Sequence, residues 1–356
     1  MKARAVAEAF YEWARSTGAL VEARGLPAAE PLSLATTLHL ETADANKTEK
    51  RLLSAQLVGV LIDEKTPQVT MMTKGKLGPR VVQALPQAID DVKLEYIGGV
   101  AFTENPPEPI PPNELTSPPC WLHKGTIACG SSVTVAPVHG AGTLGCLVAD
   151  KDGKLYGLTN NHVTGDCNHS VVGMYVLSPA PYDADPAGPP PRSIGRHSRF
   201  ILLQSGDPGQ VTRQELDAAI FNITDPKLVS SMQGDGRYDT PSAVGQLVGG
   251  ALVKKIGRTT GETQGRLRGF SLRPVAIPYK SDRFSSLVYF RNVWGIESTG
   301  PAPFSSPGDS GALVVSNDGS EALGLLFGGN ENISLMVPIE PVLKAFGTTL
   351  VSQHNI

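Results

Sequence analysis

Ser310 stands in Pro307-Gly308-Asp309-Ser310-Gly311-Ala312, just ahead of the apolar run Leu313-Val314-Val315. Glycine on both sides permits backbone angles and close approaches that a Cβ blocks, so N–H groups can turn inward beside the hydroxyl. Acyl transfer needs that arrangement, because a developing oxyanion requires donors already in place. It also needs a base, since a serine hydroxyl is a weak nucleophile at neutral pH. Taken alone, Gly308-Asp309-Ser310-Gly311 is equally an ordinary loop of turn residues.

The base is sought among seven histidines: His39, His123, His139, His162, His169, His197 and His354. Only His162 directly follows an apolar strand-like stretch, Leu158-Thr159-Asn160-Asn161-His162-Val163, where a rigid element can aim the ring. The alternative is a plain surface histidine. An acid behind the imidazole is supplied best by Asp217, in Glu215-Leu216-Asp217-Ala218-Ala219-Ile220-Phe221. A carboxylate in an apolar strand is costly to bury without a partner, and an imidazole N–H would serve. Otherwise Asp217 is a strand-end residue facing solvent. Asp166, Asp183, Asp185 and Asp207 fall in turn-rich stretches where solvated aspartates are expected, and Asp225 precedes a proline.

The elements that must position these residues follow from composition. In 356 residues, 38 glycines and 29 prolines with few aromatics favour short strands and many turns. A net charge of -3 gives no pointer to nucleic acid or an anionic membrane, and no apolar run has the length of a membrane span. The N-terminus mixes Glu8, Glu12 and Arg15 into its apolar residues, unlike a secretory signal, so a cytoplasmic location is expected. Cys120, Cys129, Cys146 and Cys167 have neither zinc-site spacing nor disulfide density, and are expected to be reduced and buried. No metal or cofactor is called for.

Residues 1–103 are expected to form a helix, with Val6, Phe10, Trp13 and Ala14 on one face, and a small α+β domain. Its strands are Gln56–Ile62, Gln68–Thr73 and Val92–Ile97, with a short helix over Arg80–Leu85. It carries no catalytic motif. Residues 104–119 are a stiff Pro-rich linker, because proline lacks an N–H and fixes φ. Residues 120–356 read as two six-stranded antiparallel β-barrels, about 125–225 and about 241–340, closed by a helix at about 340–347. Strand segments include Ser132–Val135, Leu144–Val148, Leu155–Leu158, Ile201–Leu203, Gly245–Val248 and Ala322–Phe327. Pro179–Pro191 is expected as a surface loop. The fold class is therefore mainly β.

His162, Asp217 and Ser310, in that chain order, resemble the triad of trypsin-like (chymotrypsin-fold) serine peptidases. Ala141–Cys146, Gly257–Gly265 and Gly324–Gly329 extend the resemblance over roughly residues 125–350. Val58-Gly59-Val60 and Ile97-Gly98-Gly99 are similar, more loosely, to the leader of bacterial trypsin-like proteins related to the plant narrow-leaf proteins. The resemblance implies Ser310 as nucleophile, His162 as general base and acid, and Asp217 as the group orienting the imidazole. It implies an oxyanion hole from the N–H groups of Gly308 and Ser310, and a specificity pocket lined by Phe304, Phe327, Gly328 and Gly329. An apolar or small residue before the cut is then expected.

Three departures carry expectations of their own. Relatives commonly bridge the cysteine at the place of Cys146 to one after the histidine; here that residue is Val163, which fits a reducing compartment. Bacterial relatives neutralise the aspartate before the serine with a basic side chain just ahead of the Gly257 segment, so a Lys255–Asp309 ion pair is expected to hold the oxyanion loop open. Ala312 replaces a usual glycine. The expected function is a serine endopeptidase acting on protein or peptide substrates. The alternatives are a catalytically silent peptide-binding scaffold, or a latent peptidase released by a partner or by cleavage of its N-terminal region. That region is also the place for self-association or a regulatory partner.

Overall fold

A computed structural model describes residues 2–20, 33–38, 41–100, 110–115, 117–138, 140–185, 188–204 and 216–356. Of the segments weighed above, linker residues 104–109 and 116, loop residues 186–187, and His39, His139, Asp207 and Glu215 lie outside the described residues.

The second barrel is a closed antiparallel sheet of six strands. Their order is Leu252–Gly257, Leu313–Ser316, Glu321–Gly329, Ser334–Pro338, Trp294–Ser298 and Gly261–Ser271, and the last pairs back with the first. Its interior holds Leu267, Ile296, Val314, Leu326 and Met336, and also Leu323 at a register shift in strand Glu321–Gly329, in one cluster with Val253, Trp294 and Phe304. The first barrel is a half-barrel. Cys146–Asp150, Leu155–Thr159, Ala219–Ile223, Arg192–Phe200, Tyr175–Ser178 and Ser132–Val135 lie side by side, antiparallel throughout. Gly142–Thr143 and Thr348–Leu350 extend its two ends. The fold is mainly β, a closed six-stranded barrel beside a half-barrel, with a small N-terminal part.

That N-terminal part begins with helix Ala3–Thr17, whose buried face includes Val6, Phe10, Trp13 and Ala14. Gly18, at φ 73°, ends it in the left-handed conformation that a Cβ disfavours. Strands Leu57–Asp63, Gln68–Thr73 and Val92–Ile97 form as the alternation of apolar residues implies, and Pro79–Gln83 is a short helix. They do not make a sheet apart from the barrels. Leu61 and Ile62 pair with Ser271 and Phe270, so the N-terminal strands continue the sheet of the second barrel. Ile97 and Val100 meet Leu61, Met72 and Ile333 in a shared cluster.

Other differences are local. Ile201–Leu203 and Gly245–Val248 are irregular rather than strands. Leu203 gives its N–H to the Asn168 side chain at 2.9 Å instead of to a neighbouring strand. A hairpin, Val275–Lys280 with Ser285–Phe290, leaves the second barrel, and among the described residues its strands pair only with each other. The closing helix is Ile339–Phe346. No described helix is long and apolar enough to cross a membrane.

His197 sits on strand Arg192–Phe200, 1 % exposed and stacked on Phe200, with neither ring nitrogen hydrogen-bonded among the described residues. Burial pushes its pKa down to about 4. The unfolded chain takes up this proton below about pH 6.5, whereas the folded chain resists it until about pH 4, so stability present above 6.5 is lost as pH falls through that window. His197→Leu is expected to lessen the drop in urea-unfolding free energy between about pH 7 and about pH 4.5 by about 2 kcal/mol. An unchanged drop would show that the ring is protonated in the folded state.

Candidate active site

Strand Leu155–Thr159 runs into a single wide helical turn over Asn161–Gly165, and His162 lies on that turn. Turns of this kind interrupt regular bonding and recur where a side chain must be aimed. Asn160 anchors it by donating from Nδ2 to the Asp217 carbonyl at 2.5 Å. Asn161 Nδ2 donates to the Ile201 carbonyl at 2.7 Å, and Asn168 Nδ2 to the Leu203 carbonyl at 2.8 Å. Asp166, Cys167 and Asn168 all have positive φ. Such strain is tolerated only where surrounding bonds enforce it, and these bonds do so.

Asp217 is fully buried just before strand Ala219–Ile223. Its Oδ2 is hydrogen-bonded to His162 Nδ1, and its Oδ1 accepts the His162 backbone N–H at 3.2 Å. A buried carboxylate and a 22 % exposed imidazole are thus joined, with the other edge of the ring left for chemistry. The solvated strand-end alternative for Asp217 is excluded by this burial.

Ser310 is half-buried on the loop between strands Trp294–Ser298 and Leu313–Ser316. Its carbonyl accepts the Thr143 N–H at 2.7 Å, while the Thr143 carbonyl accepts Thr159 Oγ1 at 2.7 Å. The serine loop therefore rests on the end of the strand that leads to His162. Two glycines make this approach feasible. Gly311 has φ 95°, and a Cβ there would lie 2.3 Å from both the Thr143 carbonyl and Thr159 Oγ1. Gly308 has φ 102°, and a Cβ there would lie 2.4 Å from Thr259 Oγ1. Ser310 Oγ has no hydrogen-bond partner among the described residues, so the bond to His162 is not formed in this structure. Such bonds often close only with substrate in place.

Around the serine, the Asp309 N–H donates to the Ser306 carbonyl and the Gly311 N–H to the Leu326 carbonyl, at 3.0 and 2.8 Å. The N–H groups of Gly308 and Ser310 have no acceptor among the described residues. Asp309 itself is fully buried and heavily bonded. Oδ1 accepts the N–H groups of Thr259 and Thr260 at 2.8 and 3.2 Å, and Oδ2 accepts Thr260 Oγ1 and the Ser306 N–H at 2.7 and 2.9 Å. Lys255 Nζ lies 3.5 Å from Oδ2, also fully buried, and donates to Thr260 Oγ1 and to the Gly261 carbonyl. Burial lowers the Lys255 pKa and Asp309 opposes that shift. A buried pair of this kind adds little net stability when intact, but stranding either charge costs several kcal/mol, about 3–5.

Two of the aspartates expected to be solvated are buried, Asp166 at 8 % exposure and Asp183 at 1 %. Asp183 receives the Arg258 guanidinium, with Nε 2.9 Å from Oδ2. Arg258 also donates from Nη1 to the Ile110 carbonyl at 2.7 Å, and its backbone N–H reaches Thr143 Oγ1 at 3.1 Å. One guanidinium thereby ties the first barrel, the second barrel and the segment just after residue 109 together, beneath the Gly308 turn. Nothing in the Pro-rich sequence around Asp183 announced this. Phe304 and Phe327, expected to line a pocket, are only 2 % and 3 % exposed. Phe304 packs in the second-barrel core, and the Phe327 ring lies tilted against Phe290 with centroids 4.5 Å apart. Gly328 is half-buried and Gly329 exposed, at the end of strand Glu321–Gly329.

Cys120, Cys129, Cys146 and Cys167 are free and buried. Burial pushes every thiol up, Cys120 to about 11 and Cys129 to about 12, so none supplies a thiolate nucleophile at neutral pH.

No protein-family model and no curated protein matches the chain. Among solved structures it is similar to Thermobifida fusca protease A at 18% identity, over 63% of this chain and 99% of that one, with a TM-score of 0.42. Cellulomonas bogoriensis chymotrypsin aligns at 17% identity over 64% of this chain and 98% of its own, again at 0.42. Nocardiopsis protease aligns at 18% identity over 63% and 97%, at 0.41.

Proposed function

We propose that the protein is a serine endopeptidase that cleaves protein substrates through an acyl-enzyme intermediate. The observation that carries this proposal is the His162–Asp217 pair, together with a serine loop that rests on the strand leading to His162 and leaves the Gly308 and Ser310 N–H groups without acceptors among the described residues. Ser310 Oγ attacks the scissile carbonyl carbon as its proton passes to His162 Nε2. The carbonyl oxygen becomes an oxyanion accepting from the Gly308 and Ser310 N–H groups. His162 then gives the proton to the leaving amine as the C–N bond breaks, and water attacks the acyl group by the same route in reverse. Asp217 holds the imidazole with Nδ1 protonated, which leaves Nε2 as the base. Lys255 and Asp309 keep the Gly308 turn in shape.

The N-terminal unit supports this site instead of merely preceding it. Its strands continue the second-barrel sheet, and the Ile110 carbonyl takes one of the Arg258 donors. Removal of residues 1–119 would bare a strand edge and take one acceptor from a buried guanidinium that otherwise keeps only Asp183 and Thr259, which disfavours a latent enzyme switched on by losing that region. A relation to bacterial proteins akin to the plant narrow-leaf proteins rests on Val58-Gly59-Val60 and Ile97-Gly98-Gly99 alone.

The test is digestion of a random peptide library by the full chain, with each cut read by mass spectrometry. Internal cleavage after small or apolar residues is expected. If every peptide is left intact across neutral and mildly alkaline pH, the catalytically silent scaffold is the better description.

A further inference from the structure

The Asp217 carboxylate is fully buried, yet two of its donors belong to the residue it must orient: the backbone N–H and the ring Nδ1 of His162. A carboxylate held only by its own target would fix neither rotamer. Among the described residues the carboxylate has one other donor, Tyr279, whose Oη gives a hydrogen bond of 2.7 Å to the same Oδ2 that takes the imidazole. The Tyr279 ring also meets the His162 ring edge-on, with centroids 5.5 Å apart. One side chain thus constrains both members of the pair.

Tyr279 reaches them from the far barrel. It lies on hairpin Val275–Lys280 with Ser285–Phe290, between two strands of the second barrel, while His162 and Asp217 belong to the first. Among the described residues the two hairpin strands pair with each other, and their buried side chains pack into the rest of the protein. Val275, Ile277, Val288 and Phe290 belong to one buried cluster with Leu216 and Cys167 and with Phe327, whose ring meets Phe290.

We infer that Tyr279 is a positioning residue of the active site, which locks the Asp217 carboxylate and the His162 ring in their working orientation and ties that orientation to the packing of the two barrels. This inference rests on the peptidase assignment above. The other titratable group beside the carboxylate is the buried Cys167 thiol, which stays protonated. Burial, and then the nearby carboxylate, hold the Tyr279 phenol far above its ordinary range, so it acts as a neutral donor throughout.

Tyr279→Phe removes the hydroxyl and keeps the ring. A hydrogen bond to a charged acceptor is strong enough that its loss should lower kcat by on the order of tenfold to a hundredfold, with KM within about twofold. The low-field proton resonance of His162 Nδ1–H should move further downfield, because Oδ2 loses its competing donor and becomes the stronger acceptor. Unchanged kcat with an unmoved resonance would overturn the inference. So would a rise in KM at constant kcat, which would make Tyr279 a wall of the substrate site. The resonance needs no turnover. If the full chain hydrolyses nothing, a shifted signal still supports the positioning role while the peptidase assignment fails separately.

Discussion

Ser310→Ala is expected to reduce turnover on the order of a millionfold, leaving only the small acceleration that binding and oxyanion donors give without a nucleophile. The size of that loss follows from the way triad members act as a unit. Without Oγ, the His162–Asp217 pair has no proton to take and no covalent intermediate forms. The fold should not notice the change. Ser310 is half-buried, its Oγ has no partner among the described residues, and its structural bond is the carbonyl accepting from Thr143, which alanine retains. Turnover of a peptide from the library, measured beside thermal unfolding, separates the two effects. A variant that retains a few per cent of activity with the same melting temperature would move the nucleophile elsewhere.

Asp217→Asn is expected to cost about ten-thousandfold in kcat through the wrong tautomer. Oδ1 accepts the His162 backbone N–H, so an asparagine keeps its carbonyl oxygen there and turns its amide toward the imidazole and Tyr279. The amide then donates to Nδ1, the ring proton shifts to Nε2, and the base facing Ser310 is lost. The buried site also exchanges a well-bonded carboxylate for an amide facing Tyr279, so thermal stability should fall modestly as well. Nitrogen-detected resonances of His162 in the variant would report the tautomer directly. An unshifted tautomer together with near-normal kcat would contradict the assigned role of Asp217.

Much of this arrangement was legible because burial makes demands that residue types reveal. Asp217 amid Leu216, Ala218, Ala219 and Ile220 required a partner, and His162 provides it. The Lys255 and Asp309 side chains do meet, though Thr260 shares the contact by bonding to both. Strands Gln68–Thr73, Val92–Ile97 and Ser132–Val135 carry the β-branched and apolar residues that alternation needs, and they form where those residues stand. Helix Thr42–Ala55 was invisible for the opposite reason. It buries only Ala45, Thr48, Leu52 and Ala55, a stripe too narrow and too polar to register as periodic.

What the sequence concealed were contacts made by residues far apart along the chain. Tyr279 sits in Val-Ala-Ile-Pro-Tyr-Lys, where nothing marks its hydroxyl as a donor to Asp217. Arg258 and Asp183 each look like ordinary surface charges until folding buries them against one another. The continuation of the second-barrel sheet into Leu57–Asp63 depends on which edges remain unpaired, and that is a property of the assembled sheet.

The central claim is that the Ser310 hydroxyl is the nucleophile activated by His162. Labelling the full chain with a serine-reactive phosphonate, then mapping the adduct by mass spectrometry, tests it most directly. One adduct is predicted, on Ser310, and it should disappear in His162→Ala. An adduct on any other residue, or no adduct on the folded protein at any pH, would contradict the account.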